Sequence, residues 1–308
     1  MQLLQYEKHL LDAGVRVLRY DPWSPQSQFE AADIVHYFSV MGASWLFCRH
    51  AVEVRRKPLI ISPIVWIDKP EKYNLQDIGW LLGMATHILP NSQAECDQLA
   101  GLFGIEPTRF SPIVNGVSDI FFSPVAPTIF REQYGIPEPF VLCMGNIEER
   151  KNQLRLIEAL ADTTIPLVLA GQSRESEYAT KCRKLAGKTV HFVENLAHGS
   201  EMQRSAYAAA SILVLPSTLE TPGLAALEAA AGGTRLALTQ EGCTREYFGT
   251  FAEYFDPYNV ENMREAILRA MKKPKPPTLS VFIREHYTWK RAAEQLVATY
   301  QKILSKRA

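Results

Sequence analysis

The second half of the chain alternates short apolar runs with helical patterns, and this alternation limits the folds that it can adopt. The apolar runs have the length of strands: Val141–Met144, Leu167–Ala170, Val190–Val193, Ile212–Leu215, Arg235–Leu238 and Tyr254–Phe255. The helical patterns lie between them: Asn152–Ala161, Glu175–Ala186, Ser200–Ala210, Pro222–Ala231 and Val260–Met271. Apolar strands separated by helices form parallel sheets that are covered on both faces. We therefore predict a doubly wound α/β fold for this half.

The first half also reads as α/β, although the alternation is less regular. Its strand candidates are Val15–Tyr20, Ile34–Phe38, Leu59–Ile61, His87–Leu89 and Ile113–Val114. Its helical candidates are Leu3–Ala13, Ala43–Arg55, Asn74–Leu82 and Gln93–Leu102. A doubly wound domain usually opens on its central strand and a Gly-rich turn, and the sequence opens on a helix instead. We therefore expect an incomplete N-terminal lobe.

Two proline-rich breaks predict the domain boundaries. The first is Ser123–Pro127 and the second is Lys272–Pro277, and an amphipathic pattern over Trp289–Leu304 follows the second break. The expected parts are an N-terminal lobe over residues 1–124, a second lobe over residues 125–280, and a C-terminal helix over residues 281–308. We expect that helix to pack back on the first lobe.

Net charge bears on the expected partners, and cysteine usage bears on the cellular compartment. Lys plus Arg and Asp plus Glu both number 33, so the formal net charge is zero and no nucleic-acid partner is expected. A local basic cluster, made of Arg49, Arg55, Arg56 and Lys57, indicates either a solvated helix end or a contact with an anionic membrane surface. Five cysteines without a C-x-x-C pair, and no secretory signal pattern, favour the cytoplasm, with the inner membrane face as the place of any membrane contact.

The motifs of several cofactors are absent from the sequence. There is no G-x-G-x-x-G, Walker A loop, H-E-x-x-H, G-x-S-x-G, Asp-x-Asp pair or zinc-ligand spacing. We therefore predict neither a cofactor nor a metal site.

Two carboxylates eight positions apart form the most informative local pattern. Glu220 follows the apolar run Ile212–Leu215, and Glu228 falls inside an alanine-rich helical pattern. Such a helix pattern, apolar nearly all round, is typical of a buried helix, and a buried Glu needs a polar partner. The alternatives are a capping acid for Glu220 and a surface helix residue for Glu228.

The start of this helix is a predicted anion site. We expect Thr221 to cap the helix and Pro222 to occupy its first position. The amides of Gly223 and Leu224 would then lack helical partners at the positive end of the helix dipole. Such a terminus can hold a phosphate.

A basic pair follows the first strand of the second half. Arg150 and Lys151 are expected at the same sheet edge as Glu220, because ligands of α/β sheets bind beyond the carboxyl ends of the strands. Two cations there can neutralise a departing diphosphate. The alternative is a solvated charge run at the start of a helix.

The pattern P-S-x-x-E-x-x-G-L-x-x-L-E-A-x-A-x-G resembles the retaining glycosyltransferases of the GT-B fold, family-4 type. The segment 115–118 and the run Arg150-Lys151-Asn152 are also similar to that family. The resemblance implies two doubly wound lobes that face a cleft. It further implies metal-independent transfer of a sugar, with retained configuration, from a nucleotide-sugar substrate to a glycan or lipid-linked acceptor.

The resemblance also implies residue roles. Glu228 would bind ribose hydroxyls and Glu220 would contact the transferred sugar, with the Gly223 and Leu224 amides on the phosphates opposite Arg150 and Lys151. Gly145 and Asn146 would line the donor site beside Thr221, and the segment from Phe192 through Val193 to Asn195 would flank the base.

Two departures from the family pattern bear on activity. The family usually has Arg where this chain has Asn146, so the phosphate role falls on Arg150 and Lys151. The His that family members often carry in the first lobe has no counterpart after Leu59–Ile61, and His36 is the substitute candidate, with a structural role as the alternative. Two other functions stay open: a non-catalytic donor-binding partner subunit and a glycoside hydrolase with two catalytic carboxylates.

Overall fold

The computed structural model describes residues 2–42, 45–194 and 196–306, and these residues form two units. The first unit is Met1–Asn115 with Trp289–Ala308, and the second unit is Gly116–Thr288. The strands are β1 Val35–Phe38, β2 Leu59–Ser62, β3 His87–Ile88, β4 Val141–Met144, β5 Leu167–Ala170, β6 Val190–Val193, β7 Ile212–Leu215, β8 Leu236–Thr239 and β9 Ala252–Phe255. The helices are α1 Gln2–Asp12, α2 Pro25–Ala31, α3 Trp45–Arg49, α4 Leu75–Met84, α5 Gln93–Phe103, α6 Thr128–Tyr134, α7 Gln153–Leu160, α8 Ser176–Leu185, α9 Glu201–Ala209, α10 Leu224–Ala231, α11 Thr244–Phe248, α12 Val260–Lys272, α13 Leu279–His286 and α14 Trp289–Ser305.

The first unit contains a parallel sheet in the order β1-β2-β3. The central strand β2 is buried along its whole length, which fits its apolar sequence. Helix α14 packs on α1, and the Tyr6 ring lies edge-on to Trp289 with ring centroids 5.7 Å apart.

Two predicted strands of the first half are wrong. The segment 15–20 has no regular secondary structure and is largely exposed, with no strand paired to it among the described residues, and the amide of Val15 bonds instead to Leu10 O at the end of α1. The segment 113–114 is irregular, and the Ile113 amide donates to Pro90 O. Apolar residues alone do not make a strand, because a strand also needs a neighbour for its backbone groups.

The predicted helix over residues 43–55 begins at Ala43, which lies outside the described residues. Its described part consists of α3 and a π-helical segment, His50–Val54. Arg49 bonds to Glu53 and Arg55 bonds to His50, so part of the basic cluster is engaged within the same helical segment.

The second unit contains a sheet in the order β6-β5-β4-β7-β8-β9, and every neighbouring pair is parallel. Strand β4, the first of this unit in the chain, lies beside β7 at the centre. The chain therefore winds outward in one direction from β4 and in the other from β7, which is the order of a doubly wound sheet. The predicted α/β fold with parallel sheets is confirmed. One core cluster packs Leu156 of α7, Ala179 of α8 and Ile267 of α12 against buried strand residues.

Both boundaries differ from the predicted ones. The first lies at 115/116 rather than 124/125, and the second lies at 288/289 rather than 280/281. The segment after Asn115 joins the second unit because the Val117 amide bonds to Tyr287 O at 2.8 Å. Helix α13 stays in the second unit because it packs on α10, where the Ser280 hydroxyl donates to Ala231 O.

No helix in the described part of the chain combines the length and apolar character needed to cross a bilayer.

Candidate functional site

The candidate site lies where two loops leave the centre of the second unit's sheet. The β4 loop, residues 145–152, follows β4, and the β7 loop, residues 216–223, follows β7. Since β4 and β7 are neighbours from which the chain winds in opposite directions, their loops flank the topological switch point of the sheet. Ligands of doubly wound sheets bind at this switch point.

A salt bridge joins the two loops at the switch point. Lys151 Nζ lies 2.5 Å from Glu220 Oε1, and the Ser217 hydroxyl donates to the same oxygen at 2.5 Å. Glu220 is only 5% exposed, so its charge needs these partners. Sequence analysis placed Lys151 and Glu220 at one sheet edge, and the structure brings them into direct contact.

The charge state of Glu220 follows from competing effects. Burial acts to raise the pKa of Glu220, but Lys151, Ser217 and Arg150 together outweigh it, so this pKa lies below its ordinary value. Glu220 is therefore an ionised carboxylate at neutral pH.

Arg150 and Asn152 tie the β4 loop to its neighbours. The Arg150 guanidinium is half exposed and donates to Leu219 O at 3.3 Å, with a second bond to Glu148. Buried Asn152 donates to Pro216 O at 2.9 Å and to Pro257 O at 2.8 Å. The β4 loop thus presents two cations on a fixed backbone.

A glycine fixes the backbone of Glu220 from the other side. The Glu220 amide donates to Glu241 O, and Glu220 O accepts from the Cys243 amide at 3.1 Å. Gly242 lies between these contacts at φ +91°, and a Cβ there would come within 2.2 Å of Glu220 O. Glycine is needed at this position because no side chain fits the close approach.

The predicted cap of α10 is wrong. The helix begins at Leu224 with Gly223 as its N-cap at φ +78°, so Thr221 and Pro222 lie in the loop before it. The left-handed conformation of Gly223 turns the chain into the helix two residues later than a Thr221 cap would. The amides of Gly223 and Leu224 still precede the first intrahelical hydrogen bond, which runs from the Ala226 amide to Gly223 O. A Cβ at Gly223 would lie 3.8 Å from Glu220 Oε2, so this helix terminus adjoins the Glu220 carboxylate.

Glu228 lies inside α10 and is 7% exposed, and its partners come from the protein. Tyr207 Oη donates to Oε2 at 2.7 Å and Gln203 Nε2 donates to Oε2 at 3.3 Å. His198 Nε2 lies 3.0 Å from Oε1. The sequence predicts that a buried Glu228 needs a polar partner, and α9 and the loop before it supply three.

The contacts around Glu228 shift the pKa values of two of its partners. The hydrogen bond to Glu228 raises the pKa of His198 above its ordinary value. Burial and the nearby Glu228 carboxylate raise the pKa of Tyr207 well above its ordinary value, so the phenol stays a neutral donor. A cavity of about 300 Å³ borders the same network and is lined in part by Phe121, Tyr207, Glu228 and Ser280.

Three further predicted donor-site residues lie at the ends of β4 and β6. The Gly145 amide continues the sheet by donating to Ala170 O, and Asn146 O accepts from the buried Gln153 side chain. Val193 ends β6, where its carbonyl accepts from the Gly171 amide. Of the segment predicted to flank a base, Asn195 lies outside the described residues.

His36 belongs to the first unit and has two partners there. Its Nδ1 lies 2.6 Å from Tyr300 Oη, its Nε2 lies 2.9 Å from Ser62 Oγ, and its ring stacks on Phe38. Burial lowers the pKa of His36 to about 3. With both ring nitrogens engaged by uncharged groups, the contacts favour the structural alternative for His36.

Sequence reasoning missed the side chains that hold the two acids. These are Ser217 beside Glu220, and His198, Gln203 and Tyr207 around Glu228. The only available signal was the i, i+4 spacing of Gln203 and Tyr207, which places both on one face of α9. No group of three or more His, Cys, Asp or Glu side chains with metal-site spacing occurs within the described ranges.

Comparisons with known proteins fit this geometry. The family model of glycosyl transferases group 1 matches residues 128–289. The chain is 24% identical over 247 residues to D-inositol 3-phosphate glycosyltransferase of Thermobifida fusca, covering 73% of this chain and 57% of that protein. It is 23% identical over 234 residues to mannosylfructose-phosphate synthase of Agrobacterium fabrum, covering 68% and 52%. The chain thus spans about half the length of these curated relatives.

A solved structure shows the same fold. Alr3699/HepE of Anabaena, in complex with UDP and glucose, superimposes with a TM-score of 0.78 at 19% identity, covering 90% of this chain and 80% of that one.

Proposed function

Because this chain belongs to the family of glycosyl transferases group 1, we propose that it moves a sugar from a nucleotide-sugar donor to a glycan or lipid-linked acceptor. We propose further that the transfer retains the anomeric configuration and needs no metal ion. The observation that carries the proposal is the Lys151–Glu220 salt bridge at the switch point of the second unit's sheet.

The cations of the β4 loop support a role in leaving-group stabilisation. When the bond between the anomeric carbon and the phosphate oxygen breaks, the electron pair stays on the nucleoside diphosphate. Lys151, Arg150 and the amides at the start of α10 are suited to hold that charge. The acceptor hydroxyl forms the new bond on the same face of the sugar, and its proton passes to the departing phosphate.

Glu220 supports transfer better than hydrolysis. A hydrolase needs one carboxyl group that is protonated and donates to the leaving oxygen. The pKa of Glu220 is lowered by its salt bridge, so this carboxylate is poorly suited to act as that acid. An ionised Glu220 can instead accept hydrogen bonds from hydroxyls of the transferred sugar.

Glu228 is proposed as the ligand for the ribose hydroxyls of the donor. Its carboxylate is fixed by α9 and retains some exposure, so it can accept further hydrogen bonds. The structure of Alr3699/HepE with UDP and glucose makes UDP-glucose the first donor to try. The names of the two curated relatives specify different acceptors, so they favour no particular acceptor. We propose a cytoplasmic protein, with any membrane contact made through the basic cluster.

Turnover of candidate nucleotide-sugars tests the proposal. The purified chain is incubated with UDP-, GDP-, ADP- and dTDP-sugars and a panel of glycan and lipid-linked acceptors, with and without EDTA. Free nucleotide and product are measured, and the anomeric configuration of the product is read by NMR. We expect retained configuration and unchanged rates in EDTA.

Lys151→Met provides the discriminating variant, and exposed Lys188→Met is its matched control. We expect Lys151→Met to lower turnover by roughly 100-fold or more, since it removes a charge that stabilises the transition state. Donor binding without release by the wild type, across all acceptors, would instead support a non-catalytic partner subunit. An unchanged rate in Lys151→Met would remove the basis of the transferase assignment.

A further inference from the structure

The cavity of about 300 Å³ beside Glu228 has no role in the proposed transfer. Its walls come from α9, α10, Ser280 of α13 and the segment 121–125, all within the second unit. Along α10 it reaches Ala231 and Gly232, at the C-terminal end of the helix. The amides proposed to hold phosphates lie at the opposite end of this eight-residue helix, about 10 Å away. The cavity is therefore a separate candidate binding site.

Arg204 of α9 brings an unpaired cation to this cavity. The residue is half-buried, and its Nε is fully buried and makes no hydrogen bond. Among the residues that the structure describes, no carboxylate forms an ion pair with its guanidinium. Glu228, the other charged residue on the wall, already has three partners. The uncompensated charge of the cavity is therefore positive, and an anion suits it.

The guanidinium of Arg204 is suited to a particular kind of anion. A buried N–H donor without an acceptor is disfavoured, so Nε needs an oxygen from a ligand or from solvent. A guanidinium presents parallel donors that match the two oxygens of a carboxylate or a phosphate. Arg204, Tyr207 and Ala208 share one face of α9, since they lie at i, i+3 and i+4. The cation and the Tyr207 phenol therefore line the same wall.

Hydroxyl oxygens on the cavity walls can accept hydrogen bonds from a ligand. Tyr207 Oη donates to Glu228 and Ser280 Oγ donates to Ala231 O, and each hydroxyl oxygen keeps accepting capacity. The C-terminal end of α10 is also the negative end of its helix dipole, which favours donor groups there and disfavours an anion. The walls thus suit a ligand with an anionic group at the α9 side and hydroxyl groups towards α10 and α13.

We propose that this cavity binds a small hydroxylated organic anion, either a hydroxy carboxylate or a phosphorylated polyol, with Arg204 holding its carboxylate or phosphate. Apolar side chains of the walls, including Phe121, Val125 and Ala208, pack on its carbon atoms. This ligand is distinct from the nucleotide-sugar, because it is bound through Arg204 and not through the loops at the switch point.

Calorimetric titration of the purified chain in phosphate-free, low-salt buffer tests the proposal. The probes are glycerate and gluconate as carboxylates, and glycerol 3-phosphate and glucitol 6-phosphate as phosphates. Glycerol and glucitol are the uncharged controls. We expect at least one anion to bind with a Kd of about 1 mM or tighter, and its uncharged control to bind at least about 10-fold more weakly. Binding by none of the four anions would overturn the proposal.

Arg204→Gln removes the cation, and exposed Arg16→Gln is its matched control. We expect the anion to bind Arg204→Gln at least about 10-fold more weakly than the wild type, since a bond to a charged group is lost. Binding to Arg16→Gln should stay within about twofold of the wild type. Equal binding to Arg204→Gln and the wild type would place the ligand elsewhere and overturn the assignment.

Ala208→Leu fills the cavity and leaves Arg204 in place. We expect it to weaken the anion at least about 10-fold, because the added side chain occupies the volume of the ligand. Thermal unfolding without ligand checks that both variants fold, and Ala208→Leu keeps the proposal testable if Arg204→Gln does not. Full binding in Ala208→Leu would show that the anion lies outside the cavity.

The double variant Lys151→Met with Glu220→Gln separates the cavity from the proposed phosphate contacts. An anion in the cavity should bind this variant within about twofold of the wild type. A loss in this variant without a loss in Arg204→Gln would place the anion at the switch-point loops and overturn the proposal. No nucleotide is present in these titrations, so failure of the transferase assignment leaves their outcome unchanged.

Discussion

Glu220 and Glu228 lie eight positions apart, Glu220 in the loop before α10 and Glu228 within α10, and their partners differ in charge. Glu220 pairs with the Lys151 ammonium across two loops at the sheet edge. Glu228 is held by a phenol, an amide and an imidazole from α9 and the loop before it. The charge of Glu220 is offset by a full opposite charge, while Glu228 accepts from two neutral donors and contacts an imidazole. Two acids that are close in sequence can therefore have different chemical environments, because partners distant in sequence set the charge around each.

The largest expected effect on stability comes from removing the cation that pairs with Glu220. Lys151→Met leaves the buried Glu220 carboxylate without its cation, which costs about 3–5 kcal/mol of unfolding free energy in comparable buried pairs. Urea denaturation at pH 7 measures the loss.

The double variant Lys151→Met with Glu220→Gln is the matched control. It removes both charges, so we expect it to recover most of the stability that Lys151→Met loses. If the double variant is as unstable as Lys151→Met, the loss comes from packing of the lysine stem, and the ion pair does not stabilise the turn.

A smaller loss of stability is expected when a hydrogen-bond partner of Glu228 is removed. Tyr207→Phe removes one buried donor and should lower the unfolding free energy by about 1–3 kcal/mol. With donor substrate it should raise KM and leave kcat nearly unchanged, in contrast to the kcat loss in Lys151→Met. Steady-state kinetics measure the split, and Tyr258→Phe, at an exposed tyrosine, is the control. A fall in kcat at constant KM would place Tyr207 in the chemical step.

Glu220 and His198, the partner of Glu228, should respond to pH in opposite directions. The folded pKa of Glu220 is below its ordinary value of 4.5. Its contribution to stability is therefore full above pH 4.5 and is lost as pH falls through the folded pKa. Unfolding of the wild type and of the Lys151→Met, Glu220→Gln double variant, compared from pH 7 to pH 3, should show the wild type losing stability relative to the double variant in acid.

The His198–Glu228 contact should weaken as pH rises. The folded pKa of His198 is above its ordinary value of 6.5, so protonated His198 stabilises the fold fully below pH 6.5 and this contribution is lost as pH rises through the folded pKa. Since the side chain is 38% exposed, we expect less than about 1 kcal/mol. Wild type and His198→Ala should therefore converge in stability from pH 6 to pH 9, and a gap that widens would contradict this assignment.

The second unit was largely predictable from sequence, and the reason is burial. Strands β4, β5, β6 and β7 begin and end where the apolar runs do, because short runs bounded by Gly, Pro or charged residues suit a covered parallel sheet. The meeting of Lys151 and Glu220 follows from the general rule that loops at the carboxyl ends of parallel strands share one edge.

The remaining features depend on tertiary contacts that no local pattern contains. The segment 15–20 has a strand-like composition but no neighbour in a sheet. The start of α10 depends on the left-handed Gly223, which competes with an otherwise favourable Thr221-Pro222 start. The partners of Glu228 come from packing of α9 on α10, and residues 20 to 30 positions away cannot be matched by spacing. Residues 116–124 looked like part of the first lobe, but they belong to the second unit, where Phe122 contacts Arg284 of α13 and Phe121 contacts Tyr207 of α9.

The central claim is that Glu228 holds the donor nucleotide whereas Glu220 acts in the transfer. The most direct test is the affinity of Glu220→Gln and Glu228→Gln for UDP, or for whichever nucleoside diphosphate binds the wild type. We predict that Glu228→Gln binds at least about 10-fold more weakly, since a charged acceptor is lost. Glu220→Gln should bind within about threefold of the wild type or more tightly, because Lys151 is then free to meet the phosphates. Equal losses in the two variants, or a loss confined to Glu220→Gln, would contradict the division of roles.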